Sequence, residues 1–437
     1  MKKIIDALYR FLFAPIPITG FGLMRIAWAF VVLLFLLFQW SDIALYYSAD
    51  GIFPQEFSSF HTRSVFRFTL LKWITDPQAI FALYLLHLLT LSCMLVGLHT
   101  RLMTIVSVLL LYTFHEGNPL PLGGGDTLLR LIGFLLMLAP RLDAFSLDRL
   151  EHQWSQFRRT KTLLPVPTMS IWPWRLLLWQ MIILYGTSLW YKSTGTMWAD
   201  GTAAIAALHH PQFSRIPVSW MDELAPLSPL ISAYVLIEHI GWVFLLVPEW
   251  ITRWFLEPFP RIPLRRCLIG LGLLLHGLIF ILMDAGSFSL AIFVAYTGLL
   301  LGEDFQWLRQ VTRKVSPHKV TVLYDGKCGL CLKSIFFLEL LDHLNILRCV
   351  NFWNATHKNK YAPDLKIEDL NRAMHVRVFN GKTYKGFDGF RALSWVLPPL
   401  WLLTPLLYIP GIPLMGRRMY ARIASRRRRC SHKGCNL

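Results

Sequence analysis

The chain has 437 residues, of which 54% are apolar or aromatic and only 16% are charged, and its formal net charge at pH 7 is +18. Soluble domains are roughly 45–50% apolar and roughly 25% charged. This composition excludes a disordered protein and argues against a wholly soluble enzyme. We therefore predict a polytopic membrane protein.

Eight apolar runs follow one another through the first 302 residues. They cover 21–38, 79–98, 102–114, 127–140, 171–190, 230–248, 267–283 and 287–301. A membrane-spanning helix needs about 20 apolar residues, with a range of about 17–25. Residues 1–302 are thus predicted to form an all-α polytopic bundle of about eight transmembrane helices. If the two short runs at 102–114 and 127–140 form a re-entrant pair instead, six helices span the membrane.

The Lys and Arg residues are unevenly distributed between the predicted loops. With the N-terminus inside and eight helices, sixteen of them fall in inside loops and five in outside loops. Because cytoplasmic loops carry an excess of basic residues, we predict a multi-pass protein of the cell membrane with both chain ends in the cytoplasm. A helix count wrong by one would move the C-terminal part to the other side.

Polar residues interrupt the apolar runs. A polar side chain inside a membrane costs free energy, and such residues are often functional. The richest stretch runs from 180 to 210, and a second polar group follows three consecutive glycines at 123–125. Each of these residues also has a structural interpretation, because polar side chains commonly join the helices of a bundle. The candidate catalytic or substrate-binding residues of the bundle are Tyr185, Lys192, Trp198, His276, Asp126 and Arg130.

The composition changes near residue 317, and we predict a linker at 303–317. The alternation at 319–324 is typical of a half-buried strand. A helix at 332–343, a strand at 346–352, a hairpin around Asn380-Gly381 and a helix at 387–396 are predicted to follow. This order predicts a small α/β thioredoxin-like domain at 318–437.

Two cysteines, Cys328 and Cys331, lie where the predicted strand gives way to the helix. The N-terminus of a helix offers unpaired N–H groups and the positive end of the dipole, which stabilise a thiolate. Cys328 is therefore the candidate nucleophile and Cys331 the candidate resolving thiol. Asp325, three residues earlier, is a candidate proton acceptor or relay.

A structural or zinc-binding role for the same cysteines is the alternative. A four-cysteine zinc site needs a second pair, which Cys430 and Cys435 would supply. The strand–turn–helix context favours redox chemistry, so no metal site is assigned. Cys93, Cys267 and Cys349 are predicted to be packing residues.

The end of the chain is strongly basic, with no Asp or Glu after Asp388 and a run of four arginines at 426–429. Basic residues close to a membrane attract anionic lipid by about 1 kcal/mol each. The predicted partner of this tail is therefore the lipid bilayer, not nucleic acid.

The run from Tyr324 to Cys331 resembles the signature of the DCC thiol–disulfide oxidoreductase family, whose Asp-x-x-Cys-x-x-Cys pattern it contains. The similarity continues through Phe387-Asp388-Gly389-Phe390 and covers about residues 318–435. It implies a thiol–disulfide oxidoreductase whose partner is a protein or small-molecule thiol or disulfide.

Residues 15–302 resemble the HTTM domain, which is related to the membrane part of vitamin K-dependent γ-glutamyl carboxylase. The resemblance rests on the entry to the first helix at 21–25, on Gly124-Gly125-Asp126, on the stretch from Tyr185 to Gly201 and on His276. It implies that Lys192 matches a lysine that acts as the base on a quinol. A quinone is thus the one cofactor that the sequence suggests.

Three functions are compatible with these features. The first is a membrane thiol–disulfide oxidoreductase whose bundle handles a quinone-like or peptide substrate, and the sequence favours it. The second is a carboxylase-related peptide-modification or maturation factor, in which the CxxC domain is regulatory. The third is a membrane scaffold with a zinc-binding tail. The sequence does not indicate an oligomeric state.

Overall fold

The structure is a computed structural model, and it describes residues 2–48, 51–52, 69–246, 264–315, 319–401 and 403–425. The chain divides into two compact units. The first unit comprises Met1–Glu151 and Val166–Gly302, and the second comprises His152–Pro165 and Glu303–Leu437.

In the part of the first unit that the structure describes, the regular elements are helices and one short antiparallel strand pair, β1 (Pro15–Pro17) with β2 (Thr168–Ser170). Every apolar run of the sequence falls on a helix, although the end of the run at 230–248 lies outside the described residues. The helices are α1 Lys2–Phe13, α2 Thr19–Phe38, α3 Ile43–Tyr47, α4 Pro77–Val96, α5 Thr100–Gly117, α6 Gly124–Leu138, α7 Leu147–Thr160, α8 Trp172–Ser193, α9 Thr196–Ala199, α10 Ala203–His209, α11 Val218–Leu224, α12 Ser228–Phe244, α13 Leu264–Leu282 and α14 Phe288–Leu299.

Several of these helices could cross a membrane. Within the described residues, four segments are long and apolar enough: Thr19–Phe38, Pro77–Val96, Ser219–Phe244 and Leu264–Leu282. A fifth span results if Phe288–Leu299 and Gly302–Lys314 form one broken segment. The expectation of several apolar helices typical of a membrane protein is confirmed, whereas eight spans are not shown.

Arg25 carries a buried positive charge in α2, and its side chain is 0% exposed. Its guanidinium donates hydrogen bonds to the carbonyl oxygens of Leu142, Ala144 and Phe145 at 3.1–3.2 Å, and also to that of Met94. A charge removed from solvent needs such partners. Arg25 therefore cross-links α2, the end of α4 and the segment before α7, which is a structural role.

The second unit is built on a four-stranded sheet of order β4-β3-β5-β6. β3 (Val320–Tyr324) pairs in parallel with β4 (Leu347–Asn351) and antiparallel with β5 (His375–Arg377), which forms a hairpin with β6 (Thr383–Lys385). The remaining elements of this unit are the helices α15 Gly302–Val315, α16 Gly329–Leu341, α17 Ala355–Tyr361, α18 Ile367–Leu370, α19 Phe387–Val396, α20 Thr404–Tyr408 and α21 Ile412–Ser425.

The small α/β region expected at the C-terminus is confirmed, and the structure adds the helices α17, α18, α20 and α21, which the sequence analysis did not predict. Gly381 adopts a φ of 79° in the hairpin turn, a backbone conformation that glycine tolerates without a steric penalty. The segment predicted to be a linker is largely helical, because α15 occupies most of it.

The second unit also contains residues 152–165, which include the C-terminal part of α7. Phe157 is only 2% exposed, and its ring centroid lies 5.4 Å from that of Phe336 on α16. Trp154 lies 5.1 Å from the same ring. The helix that begins at the cysteine pair is thus packed against a segment more than 150 residues earlier in the sequence, which the sequence alone did not predict.

Candidate active site

The cysteine pair lies where β3 turns into α16. Cys328 is the N-cap residue of α16, with an extended backbone (φ −103°, ψ 119°), and Cys331 lies in the first turn of the helix. The Cys328 sulfur accepts a hydrogen bond from the backbone N–H of Cys331 at 3.4 Å. A sulfur at this position feels the unpaired amides and the dipole of the helix, both of which favour the thiolate.

Both cysteines are buried: Cys328 is 0% exposed and Cys331 is 7% exposed. A disulfide substrate must nevertheless touch the attacking sulfur. Thiol–disulfide exchange at Cys328 therefore requires a local opening of the surrounding chain, which is common in regions that bind substrates.

Asp325 begins the turn that carries Cys328 and is 3% exposed. The backbone N–H of Cys328 donates to the Asp325 carbonyl oxygen at 3.2 Å, which closes the turn. Asp325 Oδ1 accepts two hydrogen bonds, from the backbone N–H of Lys327 at 2.9 Å and from Nε1 of Trp353 at 2.7 Å. Its Oδ2 receives no hydrogen bond from the part of the chain that the structure describes. That oxygen is the one available to accept a proton.

The turn is also tied to the end of β4. Asn351 Oδ1 accepts hydrogen bonds from the backbone N–H groups of Gly326 and Trp353, both at 3.2 Å. A Cβ atom at Gly326 would collide with the Asn351 side chain. The glycine of the Asp-Gly-Lys-Cys run therefore permits a close approach between the turn and β4.

A third cysteine, Cys349, lies on β4 beside Glu339 of α16. Burial raises the pKa of the Cys349 thiol well above its usual range, and the neighbouring Glu339 adds to this effect. Burial also raises the pKa of Glu339 to about 7. Because the thiolate is the reactive form, these shifts fit the packing role predicted for Cys349.

The residues Phe387-Asp388-Gly389-Phe390 have structural contacts within the domain. Asp388 accepts hydrogen bonds from Arg417 of α21 at 2.8 and 3.1 Å and from Arg391 at 3.1 Å. The bonds from Arg417 hold the pKa of the Asp388 carboxyl below its usual value. A side chain at Gly416 would collide with the Phe387 ring. This run therefore fastens the basic helix α21 to α19.

Polar groups from four helices meet inside the first unit. The Tyr185 hydroxyl lies 3.0 Å from Nε2 of His276 and 2.6 Å from the hydroxyl of Tyr296. A side chain at Gly272 would collide with the Tyr296 hydroxyl, so this glycine makes room for the contact. Trp242 stacks on Tyr185 with ring centroids 5.0 Å apart. The structure thus brings two candidate residues, Tyr185 and His276, into direct contact, and it adds Tyr296 and Trp242, which the sequence did not single out.

Lys192 belongs to a second chain of polar contacts. Its ammonium donates a hydrogen bond to Ser188 Oγ, which lies 3.2 Å from Nε2 of His239. His239 Nδ1 lies 3.1 Å from a carboxylate oxygen of Glu238, a residue that is 0% exposed. The Lys192 ammonium also lies 5.2 Å from the centroid of the Trp198 ring. The structure therefore places two of the candidate residues, Lys192 and Trp198, close to each other.

Asp126 and Arg130 have other partners. Asp126 accepts hydrogen bonds from the backbone N–H of Gly123 and from the hydroxyl of Ser287, both at 2.8 Å. Arg130 forms an ion pair with Glu116 and lies over the ring of Tyr112. These contacts cap α6 and link helices, and none of them reaches Tyr185 or Lys192.

Among the described residues, no group of three or more His, Cys, Asp or Glu side chains is placed to hold a metal ion. Cys430 and Cys435, on which the zinc-binding alternative depends, lie outside the described residues. Cys93 and Cys267 lie on α4 and α13, where they are partly buried.

A CxxC pair at the start of a helix that follows a strand is an arrangement typical of thiol–disulfide oxidoreductases. Residues 322–433 match the family DCC1-like thiol-disulfide oxidoreductase. The matched residues lie in the second unit and make up about a quarter of the chain. No curated protein and no solved structure matches the chain. The resemblance of residues 15–302 to the HTTM domain is not shown by these comparisons and stays a prediction.

Proposed function

We propose that this protein is an integral-membrane thiol–disulfide oxidoreductase whose C-terminal domain exchanges disulfides through Cys328 and Cys331. The position of Cys328 as the N-cap residue of α16, with its sulfur bonded to the Cys331 amide, carries the proposal. The match of residues 322–433 to a family of thiol–disulfide oxidoreductases supports it.

The exchange proceeds in two steps. The Cys328 thiolate attacks one sulfur of the substrate disulfide, forms a mixed disulfide and releases the other substrate sulfur as a thiolate, which takes up a proton. The Cys331 thiol then loses its proton, for which Asp325 is the nearby acceptor, and attacks the Cys328 sulfur. The second substrate sulfur leaves as a thiolate and takes up the proton from Asp325, so the substrate gains two electrons and two protons while the cysteine pair becomes a disulfide.

The membrane arrangement is part of the proposal. The described parts of the eight apolar runs fall on helices, and the excess of Lys and Arg in alternate loops supports eight spans with both termini in the cytoplasm. The cytoplasm keeps thiols reduced, so a cytoplasmic CxxC pair acts as a reductase. The basic residues after Asp388 suit a surface of anionic lipid.

Replacing Cys331 with Ser tests the two-step exchange. A domain that lacks its resolving thiol cannot complete the second step, so we expect the substrate to stay bound to Cys328 as a mixed disulfide. Full-length Cys331→Ser protein, incubated with oxidised glutathione, should gain one glutathione on the peptide that contains Cys328, as measured by mass spectrometry. Cys349→Ser protein serves as the control and should not accumulate the adduct. An unmodified Cys328 in the Cys331→Ser protein would contradict the proposal.

A second candidate function is a carboxylase-related modification or maturation factor, in which the bundle acts on a quinone-like or peptide substrate and the CxxC domain is regulatory. The contacts of Lys192 with Ser188 and Trp198 favour it. A lysine near aromatic and polar groups inside a helix bundle is a candidate acid–base residue.

Replacing Lys192 with Met tests this second function. If the bundle site binds a quinone through the lysine, we expect the Kd for decylubiquinone to rise at least about tenfold, which corresponds to about 1.4 kcal/mol. Titration calorimetry on the full-length protein would measure it. The exposed Lys161, whose ammonium donates to the Arg158 carbonyl, provides the control variant Lys161→Met. Equal affinities in the wild-type and Lys192→Met proteins would contradict a quinone role for Lys192.

A further inference from the structure

Trp353 contacts the cysteine turn although it lies two residues beyond the end of β4. Its indole Nε1 donates a hydrogen bond to Asp325 Oδ1 at 2.7 Å. Its backbone N–H donates to Asn351, the residue that also binds Gly326. The indole is therefore fixed at its backbone and aimed at the carboxylate of the turn.

The surroundings of Trp353 explain how the indole is held in place. Its ring packs on Phe352, with centroids 5.2 Å apart, and Phe352 is only 1% exposed in the core of the domain. The ring also contacts the turn itself, because the Lys327 ammonium lies 4.4 Å from the centroid of the Trp353 ring. The indole thus bridges a buried carboxylate and an ammonium that stand two residues apart in the sequence.

We propose that Trp353 is a positioning residue of the redox site: its indole N–H holds the Asp325 carboxylate and partly neutralises it, so that the Cys328 sulfur ionises beside it. This inference rests on the proposed function. A carboxylate that lies within one turn of a thiol opposes its ionisation, because two negative charges repel. A hydrogen bond donated to the carboxylate spreads its charge and weakens that repulsion.

Other titratable groups lie around the turn, and each could contribute to the ionisation of Cys328. They are Lys327 on the turn, Cys331 on α16, Tyr324 directly before Asp325, and His375, which lies opposite Leu323 of β3 in the sheet. All four residues are retained in the variants, and Trp353→Phe keeps an aromatic ring beside the Lys327 ammonium. A comparison of single and double variants therefore isolates the Trp353–Asp325 contact.

The test is the pH dependence of Cys328 alkylation in the full-length protein, measured by iodoacetamide labelling and mass spectrometry of the Cys328 peptide. In Trp353→Phe the ring remains but the N–H donor is lost, so we expect the half-maximal pH to rise by about half a unit, a roughly threefold change in the thiolate fraction below that pH. Asp325→Asn should lower it, because the charge is gone. Trp353→Phe added to Asp325→Asn should produce no further shift.

A matched control is Trp401→Phe, because Trp401 is an exposed tryptophan of the same unit whose indole donates to the Trp395 carbonyl. This variant should leave the half-maximal pH unchanged. If Trp353 were only a packing residue, its replacement would change the labelling rate equally at every pH, and that result would overturn the proposal. An equal shift in the Asp325→Asn background would overturn it as well. Alkylation of Cys328 does not require catalytic turnover. The labelling result therefore tests the role of Trp353 even if the protein shows no oxidoreductase activity, and the two proposals can fail separately.

Discussion

Full-length protein in which Cys328 is replaced with Ser should lose its disulfide reductase activity, with a fall on the order of 10³-fold or more. The hydroxyl of serine remains protonated at neutral pH, so the N-cap position of α16 then holds no anion for the helix to stabilise. The measurement is the rate at which the dithiothreitol-reduced protein reduces insulin, followed by the turbidity of the released chains. The whole chain is needed, since residues 152–165 belong to the same unit as the cysteines.

Cys349→Ser is the matched control for this experiment. Cys349 belongs to the same sheet, but burial raises the pKa of its thiol, and we expect its replacement to leave the rate within about twofold because it carries no thiolate at neutral pH. If Cys328→Ser protein reduced insulin at the wild-type rate, Cys328 would not be the nucleophile, and the proposed oxidoreductase function would be refuted.

Local sequence patterns predict the elements that position the cysteine pair. The alternation before Asp325 marked β3, the apolar positions after Cys331 marked α16, and Asn380-Gly381 marked the hairpin turn. These features depend on neighbouring residues, since strand alternation, helix starts and tight turns are set within a few residues. The apolar runs of the first unit were recognised as helices for the same reason.

Local sequence patterns do not predict the contacts between distant segments that complete the cysteine turn and the polar cluster around Tyr185. Trp353 reaches Asp325 only because β4 lies parallel to β3, a pairing that no local pattern reveals. Tyr296 meets Tyr185 only because Gly272 leaves room for its hydroxyl. In both cases the partner comes from a distant segment, and its residue type is also common in packing roles.

The packing of residues 152–165 against α16 leads to the second large expected effect. Phe157→Ala removes a ring that is 2% exposed and contacts Phe336, which is itself only 1% exposed. Replacing a buried Phe with Ala costs about 3–5 kcal/mol, because it loses apolar burial and leaves a cavity. Since Phe336 belongs to the helix that begins at the cysteine pair, that cost falls on the element that positions Cys328.

Amide hydrogen exchange in the full-length protein would measure this effect. We expect the protected amides of α16 and β3 to exchange about 10²–10³ times faster in Phe157→Ala, since each 1.4 kcal/mol corresponds to a factor of ten in the opening equilibrium. Phe337→Ala is the matched control: Phe337 follows Phe336 in the same helix but is 49% exposed, so its loss should change exchange only slightly. Unchanged exchange in Phe157→Ala would mean that the domain at 318–437 folds without the earlier segment. The expected acceleration would instead make residues 152–165 a stabilising part of the redox unit, so that any fragment beginning near residue 318 would lack the surface on which its catalytic helix rests.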